Sequence, residues 1–107
     1  MSKLNVDVYS VCYDLAYRVR ETYDTVLRSA LRKNNNEPIP CTFNDRFYSR
    51  IEGNEIVEVR WESVIFEQNT VKVRALKRFS DGETMECAYP THMLSLVEIL
   101  SVMGDME

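Results

Sequence analysis

Residues 87–93, CAYPTHM, contain the side-chain types that a nucleophilic site would need. Cys87 could supply a thiolate, and His92, the only histidine of the chain, could supply the base. The same segment also has the features of a strand end followed by a helix start, because Pro90 cannot donate to a sheet and Thr91 is a helix-capping residue type. We therefore interpret the segment as structural, with Cys87 buried and unreactive and His92 in the first turn of a helix.

The rest of the sequence contains no catalytic motif. Only three glycines are present, and none forms part of a glycine-rich phosphate loop. The three cysteines, Cys12, Cys41 and Cys87, are widely spaced, which predicts neither a disulfide framework nor a zinc site. Such cysteines fit a reducing compartment. We expect a protein that is not an enzyme and that needs no metal and no cofactor.

The size and charge of the chain limit its class. Its 107 residues, of which 45% are hydrophobic, suffice for one domain, 1–107, with a real core. The net charge of -4 disfavours a general nucleic-acid-binding protein but leaves a local basic patch open. The start of the sequence lacks the pattern of a signal peptide, and no apolar run is long enough to span a bilayer. We expect a cytoplasmic protein with no membrane partner.

Residues 6–33 have the strongest helical pattern of the sequence. One apolar stripe at steps of three and four residues consists of Val8, Cys12, Leu15, Val19, Thr22 and Val26. Five further residues widen it: Ala16, Tyr23, Leu27, Ala30 and Leu31. Two prolines and three asparagines then predict a linker over 34–42.

Residues 43–52 fit two structures. Phe43, Phe47 and Ile51 recur every four residues, which predicts a short helix. Alternation at residues 47, 49 and 51 fits a strand instead, and Gly53 could then form the turn of a hairpin. We favour the helix and keep the strand as the alternative.

Residues 55–89 predict an antiparallel meander. A three-residue loop at 67–69 would place Glu62 opposite Arg74 and Glu58 opposite Arg78, which pairs opposite charges. The predicted core face holds Val57, Val59, Trp61, Ser63, Ile65, Val71, Val73, Ala75, Met85, Cys87 and Tyr89. The opposite face is predicted to be charged, with Ile56, Val64, Phe66 and Leu76 as apolar exceptions.

The turn between the second and third strands of the meander is predicted to have three residues, with Gly82 in the left-handed conformation. This length places Cys87 beside Ala75 and Tyr89 beside Val73. A two-residue turn would put Cys87 on the charged face instead.

A C-terminal helix is predicted over 91–103, with Thr91 as the N-cap and Gly104 after the last turn. Its apolar face would consist of Met93, Leu94, Val97, Leu100 and Met103. The predicted fold class is therefore α+β: a long N-terminal helix, a three-stranded meander that becomes four-stranded if 43–52 is a strand, and a C-terminal helix. Both helices would cover the core face.

A second stripe on the first helix suggests a function. Tyr9, Tyr13 and Tyr17 follow one another at four-residue steps, and Arg20 continues the same line. Tyrosine is enriched in protein interfaces, although these rings could also cover the flank of the core. We expect a small non-catalytic interaction module, a homodimer or a structural or regulatory subunit, that self-associates through this helix.

A nucleic-acid-associated regulatory protein is the alternative function. Aromatic and basic residues that could stack on and clamp a single strand occur at Arg46, Phe47, Tyr48, Arg50, Lys72, Arg74 and Arg78. No RNA-recognition consensus, helix-turn-helix spacing or zinc finger accompanies them. The acidic total makes this the less favoured of the two hypotheses.

Overall fold

The computed structural model describes residues 8–106, with side chains from Tyr17 onward. It confirms the α+β class: helix α1 (Val8–Lys33), a five-stranded antiparallel sheet and helix α2 (Leu96–Asp105). The strands are β1 (Ile39–Pro40), β2 (Tyr48–Glu52), β3 (Glu55–Glu67), β4 (Thr70–Arg78) and β5 (Thr84–Pro90). The order in the sheet is β1–β3–β4–β5, and β2 also pairs with β3. The predicted start of α1 at residue 6 lies outside the described residues.

Helix α1 packs on the sheet with the residues predicted to widen its apolar stripe, and not with the main line of that stripe. Leu27 and Leu31 are fully buried, whereas Val19 and Val26 of the main predicted stripe are 39% and 44% exposed. On the side of α1 that faces the rest of the protein, Asp24 also accepts a hydrogen bond from Thr91. Half of the predicted stripe, Val8 to Leu15, lies outside the residues whose side chains are described.

The segment 34–42 is not only a linker. Asn35 and Asn36 adopt positive φ angles of 58° and 59° after α1, and the two-residue strand β1 follows them. Ile39 and Cys41 are buried in the core. The predicted surface connection therefore also fills one edge of the core.

The favoured helix at 43–52 is wrong, and the strand alternative is what the structure contains. β2 pairs with the start of β3 through a turn at Gly53, whose φ is +62°. Phe43 and Ile51, two of the three residues at helical spacing, are strongly exposed. The four-residue spacing of these side chains did not indicate a buried helix face. The backbone of β2 forms its hydrogen bonds with β3 and not within a helix.

The predicted register of the first hairpin is correct at one end only. Glu58 lies opposite Arg78 as predicted, but Ser63, and not Glu62, lies opposite Arg74. Two features account for the shift: the connecting turn has two residues, 68 and 69, both with positive φ, and a β-bulge lies between Trp61 and Ser63. A bulge moves the strand by one residue and so reverses the facing of every residue beyond it.

The bulge changes which residues form the core. Val64, predicted on the charged face, is fully buried, and Ser63, predicted inside, lies opposite Arg74 on the outer face.

Two residues of β5 are less enclosed than predicted: Met85 is 48% exposed and Cys87 is half-buried. The buried hydrophobic cluster of the protein consists of Leu27, Leu31, Ile39, Cys41, Val57, Val59, Trp61, Val64, Val71, Val73, Ala75, Tyr89, Leu94, Ile99 and Val102.

The register between β4 and β5 is confirmed. Ala75 lies opposite Cys87 and Val73 opposite Tyr89. The backbone N–H of Gly82, whose φ is +89°, donates to the carbonyl of Phe79, which closes the predicted three-residue turn.

The C-terminal helix begins later than predicted. Residues 91–93 form one 3₁₀ turn, and α2 begins after Ser95, whose hydroxyl accepts from the N–H of Glu98 in a capping box. Gly104 lies within α2 and does not end it. Because the helical conformation is interrupted between Met93 and Leu96, the apolar residues before and after this interruption do not share one helix face. Ile99 and Val102 are buried, whereas Met93, Val97 and Leu100 of the predicted face are exposed.

Candidate functional site

The segment CAYPTHM does not form a nucleophile and base. Cys87 lies within β5, where its Sγ donates a weak hydrogen bond to the carbonyl of Ala75 at 3.6 Å. His92 lies in the exposed 3₁₀ turn that follows the strand. Thr91, between them, donates to Asp24 at 2.9 Å. The segment joins the sheet to α1, which supports its interpretation as structural.

Cys41 is the protected thiol of the described residues. It is 1% exposed, and burial, together with the carboxylates of Asp105 and Glu62, raises its pKa to about 12. A raised pKa leaves less of the nucleophilic thiolate at neutral pH. The prediction that Cys87 is buried was wrong, since Cys87 is only half-buried on β5.

We expect Cys41 to resist alkylation as long as the protein is folded. Iodoacetamide labelling at pH 8, followed by peptide mass spectrometry, should find it unmodified after Cys87 has reacted, and modified promptly in urea. The reason is that the reagent reacts with the thiolate form of cysteine and must be able to reach it. Rapid modification of Cys41 in the native protein would contradict its place in the core.

A partly buried cluster of charged groups joins β2, β4, β5 and α2. Arg50 donates to Glu52 at 3.0 Å, to Glu98 and to the carbonyl of Met93 at 2.8 Å. Glu52 also accepts from Lys77 at 2.5 Å and from the hydroxyl of Tyr89 at 2.6 Å. We call these five side chains, Arg50, Glu52, Lys77, Tyr89 and Glu98, the Arg50 cluster.

The electrostatics of the Arg50 cluster favour its charged form. Burial by itself would raise the pKa of Glu52, but the hydrogen bonds from Lys77, Tyr89 and Arg50 outweigh it and hold that pKa below its usual value. The pKa of Tyr89 is raised by burial and by its bond to Glu52. A carboxylate held ionised and a phenol held neutral are poor general acids and bases near neutral pH, so the cluster is suited to structure rather than to catalysis.

The predicted nucleic-acid residues do not form one surface. Phe47, Lys72, Arg74 and Arg78 belong to the outer face of the sheet, with Phe47 beneath the Arg78 guanidinium at 3.9 Å. Arg50 belongs to the opposite, core face, within the Arg50 cluster. Two further predicted residues stack on each other: Arg46 lies over the ring of Tyr48 at 5.6 Å, and Tyr48 bonds to Asp105.

Most charges on the outer face are already paired within the chain. Arg78 forms two hydrogen bonds to Glu58, at 3.1 and 3.2 Å. Lys72 pairs with Glu67 at 3.2 Å, and Arg60 pairs with Glu62 at the same distance. This face therefore offers little free positive charge for a phosphate backbone.

An open groove of about 720 Å³ runs between α1 and the 3₁₀ turn. Several of its polar groups form hydrogen bonds within the chain. Arg20 donates to the carbonyl of His92 at 2.8 Å, and Arg28 donates to Asp24 at 2.8 Å. Arg28 also reaches the carbonyl of Asn69. The bonds of Arg20 to His92 and of Arg28 to Asn69 attach α1 to the rest of the protein, so Arg20, predicted as part of the interface stripe, is engaged within its own chain.

The described part of α1 has exposed apolar side chains on two of its flanks, among exposed polar residues. Tyr17 is 60% exposed, and Val19 and Val26 are also uncovered. The side chains of Tyr9 and Tyr13 lie outside the described part, so their predicted contact stays a prediction. The hydrogen bond of Tyr17 to Glu21 raises the pKa of its phenol.

Two kinds of site are not found in the described residues. No group of three or more histidine, cysteine, aspartate or glutamate side chains in that part of the chain is placed to hold a metal ion. None of the helices described there is long and apolar enough to cross a membrane.

Comparison with known proteins gives no relative from which to infer a function. No protein-family model, no curated protein and no solved structure matches the chain.

Proposed function

We propose that the protein is a small non-catalytic assembly module that works in the cytoplasm and self-associates through α1. The observation that carries this proposal is a line of two exposed valines on α1. Val19 and Val26, seven residues apart on one line of the helix, remain 39% and 44% exposed, although the same helix buries Leu27 and Leu31. A helix packed on a single sheet needs only the apolar residues that face the sheet, so exposed apolar residues outside that face are available for contact.

Two further features support a role in contact rather than chemistry. The pKa shifts of Arg50 and Glu52 arise within the Arg50 cluster, where each of the two groups has a partner within the chain. The cysteines Cys41 and Cys87 are free, which fits a reducing compartment.

We expect the Val19→Glu, Val26→Glu double variant to be folded and to have a lower solution mass than the wild type. Charged side chains on an apolar contact must be desolvated for association, which is unfavourable. The measurement is light scattering after size exclusion at about 10–100 μM, the range in which weak assemblies form. Ile56→Glu is the matched control, since Ile56 is 67% exposed on the outer face of the sheet and should keep the wild-type mass.

Two outcomes would refute the proposal. A wild type that is monomeric over the whole concentration range excludes self-association. A double variant with the wild-type mass excludes α1 as the contact, even if the wild type is oligomeric.

A further inference from the structure

Strand β5 has one free edge, because it pairs with β4 and with no other described strand. At its start the N–H of Phe79 donates to the carbonyl of Glu83 at 2.8 Å, so these two residues form a hydrogen-bonded pair. Such pairs alternate along an antiparallel ladder. Thr84, Glu86 and Ala88 therefore direct their backbone groups away from β4. Free backbone groups on an edge strand are a template for another strand.

Two charged side chains beside this edge have no partner among the described residues. Arg74 is exposed on β4, directly opposite Ala88, and Glu86 is exposed on β5. Neither forms an ion pair or a side-chain hydrogen bond with any described residue, whereas Arg78, Lys72 and Arg60 on the same outer face are all paired. The edge therefore presents one free positive and one free negative charge, close to each other.

We propose that β5 pairs with β5 of a second copy of this chain, antiparallel and centred on Cys87, so that two sheets join into one. In this register Glu86 of the second copy lies opposite Ala88, and Ala88 lies beside Arg74. Because alanine is small, Arg74 reaches across it to Glu86 of the second copy. The two-fold axis repeats this ion pair, so both free charges of each copy are matched.

Charge selects this register over its neighbours. Centring the pair on Glu86 would place two carboxylates face to face. Centring it on Ala88 would direct the two Arg74 side chains toward each other across a pair of alanines. Like charges at close cross-strand positions are destabilising, so both neighbouring registers are disfavoured.

The apolar residues of β5 fit the same arrangement. Met85 is 48% exposed on the core face, which its own chain does not cover. In the proposed register it lies opposite Tyr89 of the second copy, at the rim of that copy's core. Glu86 and Ala88 of the two copies exchange backbone hydrogen bonds, and Pro90, which has no N–H, limits the pairing at the end of the strand.

Cross-linking through Cys87 tests the register directly. The two Cys87 residues would form a non-hydrogen-bonded pair, with Cα atoms about 4.5 Å apart, which is within reach of a disulfide. Copper phenanthroline with dissolved oxygen removes two electrons and two protons from the two thiols and leaves one S–S bond. We expect a covalent dimer with a Cys87–Cys87 linkage by mass spectrometry. The linkage should survive Cys12→Ser and be absent from Cys87→Ser, and its absence from the wild type would overturn the proposal.

A charge exchange tests the ion pairs. Arg74→Glu and Glu86→Arg, each alone, should raise the dissociation constant of the β5 contact by about tenfold or more, since each brings like charges together. The double variant should return it close to the wild-type value, and Arg74→Lys should change it little. Sedimentation velocity in the Val19→Glu, Val26→Glu background isolates this contact from that of α1. Failure of the double variant to recover would overturn the proposed register.

The β5 contact does not depend on the proposed role of α1. The Val19→Glu, Val26→Glu variant should still form the Cys87 cross-link. If the cross-link is absent while the solution mass of the wild type still depends on α1, the β5 proposal is wrong and the α1 proposal stands. If the cross-link forms while the solution mass of the wild type does not depend on α1, the α1 proposal is wrong and the β5 proposal stands.

Discussion

Trp61→Ala is expected to lower the free energy of unfolding by about 3–5 kcal/mol, the range for removal of a large buried aromatic side chain. Trp61 lies within β3, is 2% exposed and meets the ring of Tyr89 edge-on at 6.4 Å. The whole stability of a small domain is about 5–15 kcal/mol, so one substitution would remove a large part of it. Urea denaturation followed by circular dichroism measures the effect.

Trp61→Phe is the matched control for this prediction. The indole N–H of Trp61 is buried and has no hydrogen-bond partner among the described residues. Phenylalanine keeps an aromatic ring in the same place and removes this unpaired donor, which by itself is unfavourable by about 1–3 kcal/mol. The phenylalanine variant should therefore lose much less stability than the alanine variant. An alanine variant as stable as the wild type would show that the ring does not lie in the core.

Arg50→Ala is expected to lower the free energy of unfolding by about 2–3 kcal/mol. The range for breaking a buried ion pair is about 3–5 kcal/mol, and we expect less because Glu52 and Glu98 remain 26% and 20% exposed. The arginine also lies over the ring of Tyr89, at 4.7 Å from its centre. Its removal leaves two carboxylates without the cation that links β2 to α2. Urea denaturation at neutral pH is again the measurement.

Arg78→Ala is the control for Arg50. Arg78 also pairs with a glutamate, Glu58, but its side chain is 39% exposed and that of Glu58 is 46% exposed. An exposed pair of this kind contributes about 1 kcal/mol or less. Equal losses for the two variants would mean that the Arg50 cluster has no special role in stability.

The sequence by itself determined the elements whose signals are local. The helical period of residues 8–33, the alternation along the meander and the turn at Gly82 were enough for the fold class and for the pairing of β4 with β5. The left-handed glycine fixes the length of that turn, and the length fixes which residues face each other. The opposition of Cys87 and Ala75, on which the proposed β5 contact rests, was therefore predictable.

The site depended on features that no short stretch of sequence records. That β5 forms an edge follows from the strand order of the whole sheet. That Arg74 and Glu86 have no partner among the described residues follows from how the whole sheet places the other charges, since Arg60, Lys72 and Arg78 each lie beside a glutamate. Edge exposure and free charge are properties of the assembled molecule, because each depends on residues distant in sequence.

Only the tertiary structure decided the strand choice at 48–52, the bulge after Trp61 and the exposed side of α1. The alternating pattern of β3 is compatible with a strand that has a bulge and with one that has none. In the structure the bulge places Val64 in the core together with Leu27 and Leu31. Likewise, the apolar residues of α1 spread over more than one side in sequence, and packing in the core decides that Leu27 and Leu31 are buried while Val19 and Val26 stay exposed. Local patterns give the period of an element, whereas its rotation and register are set by long-range contacts that a single segment cannot specify.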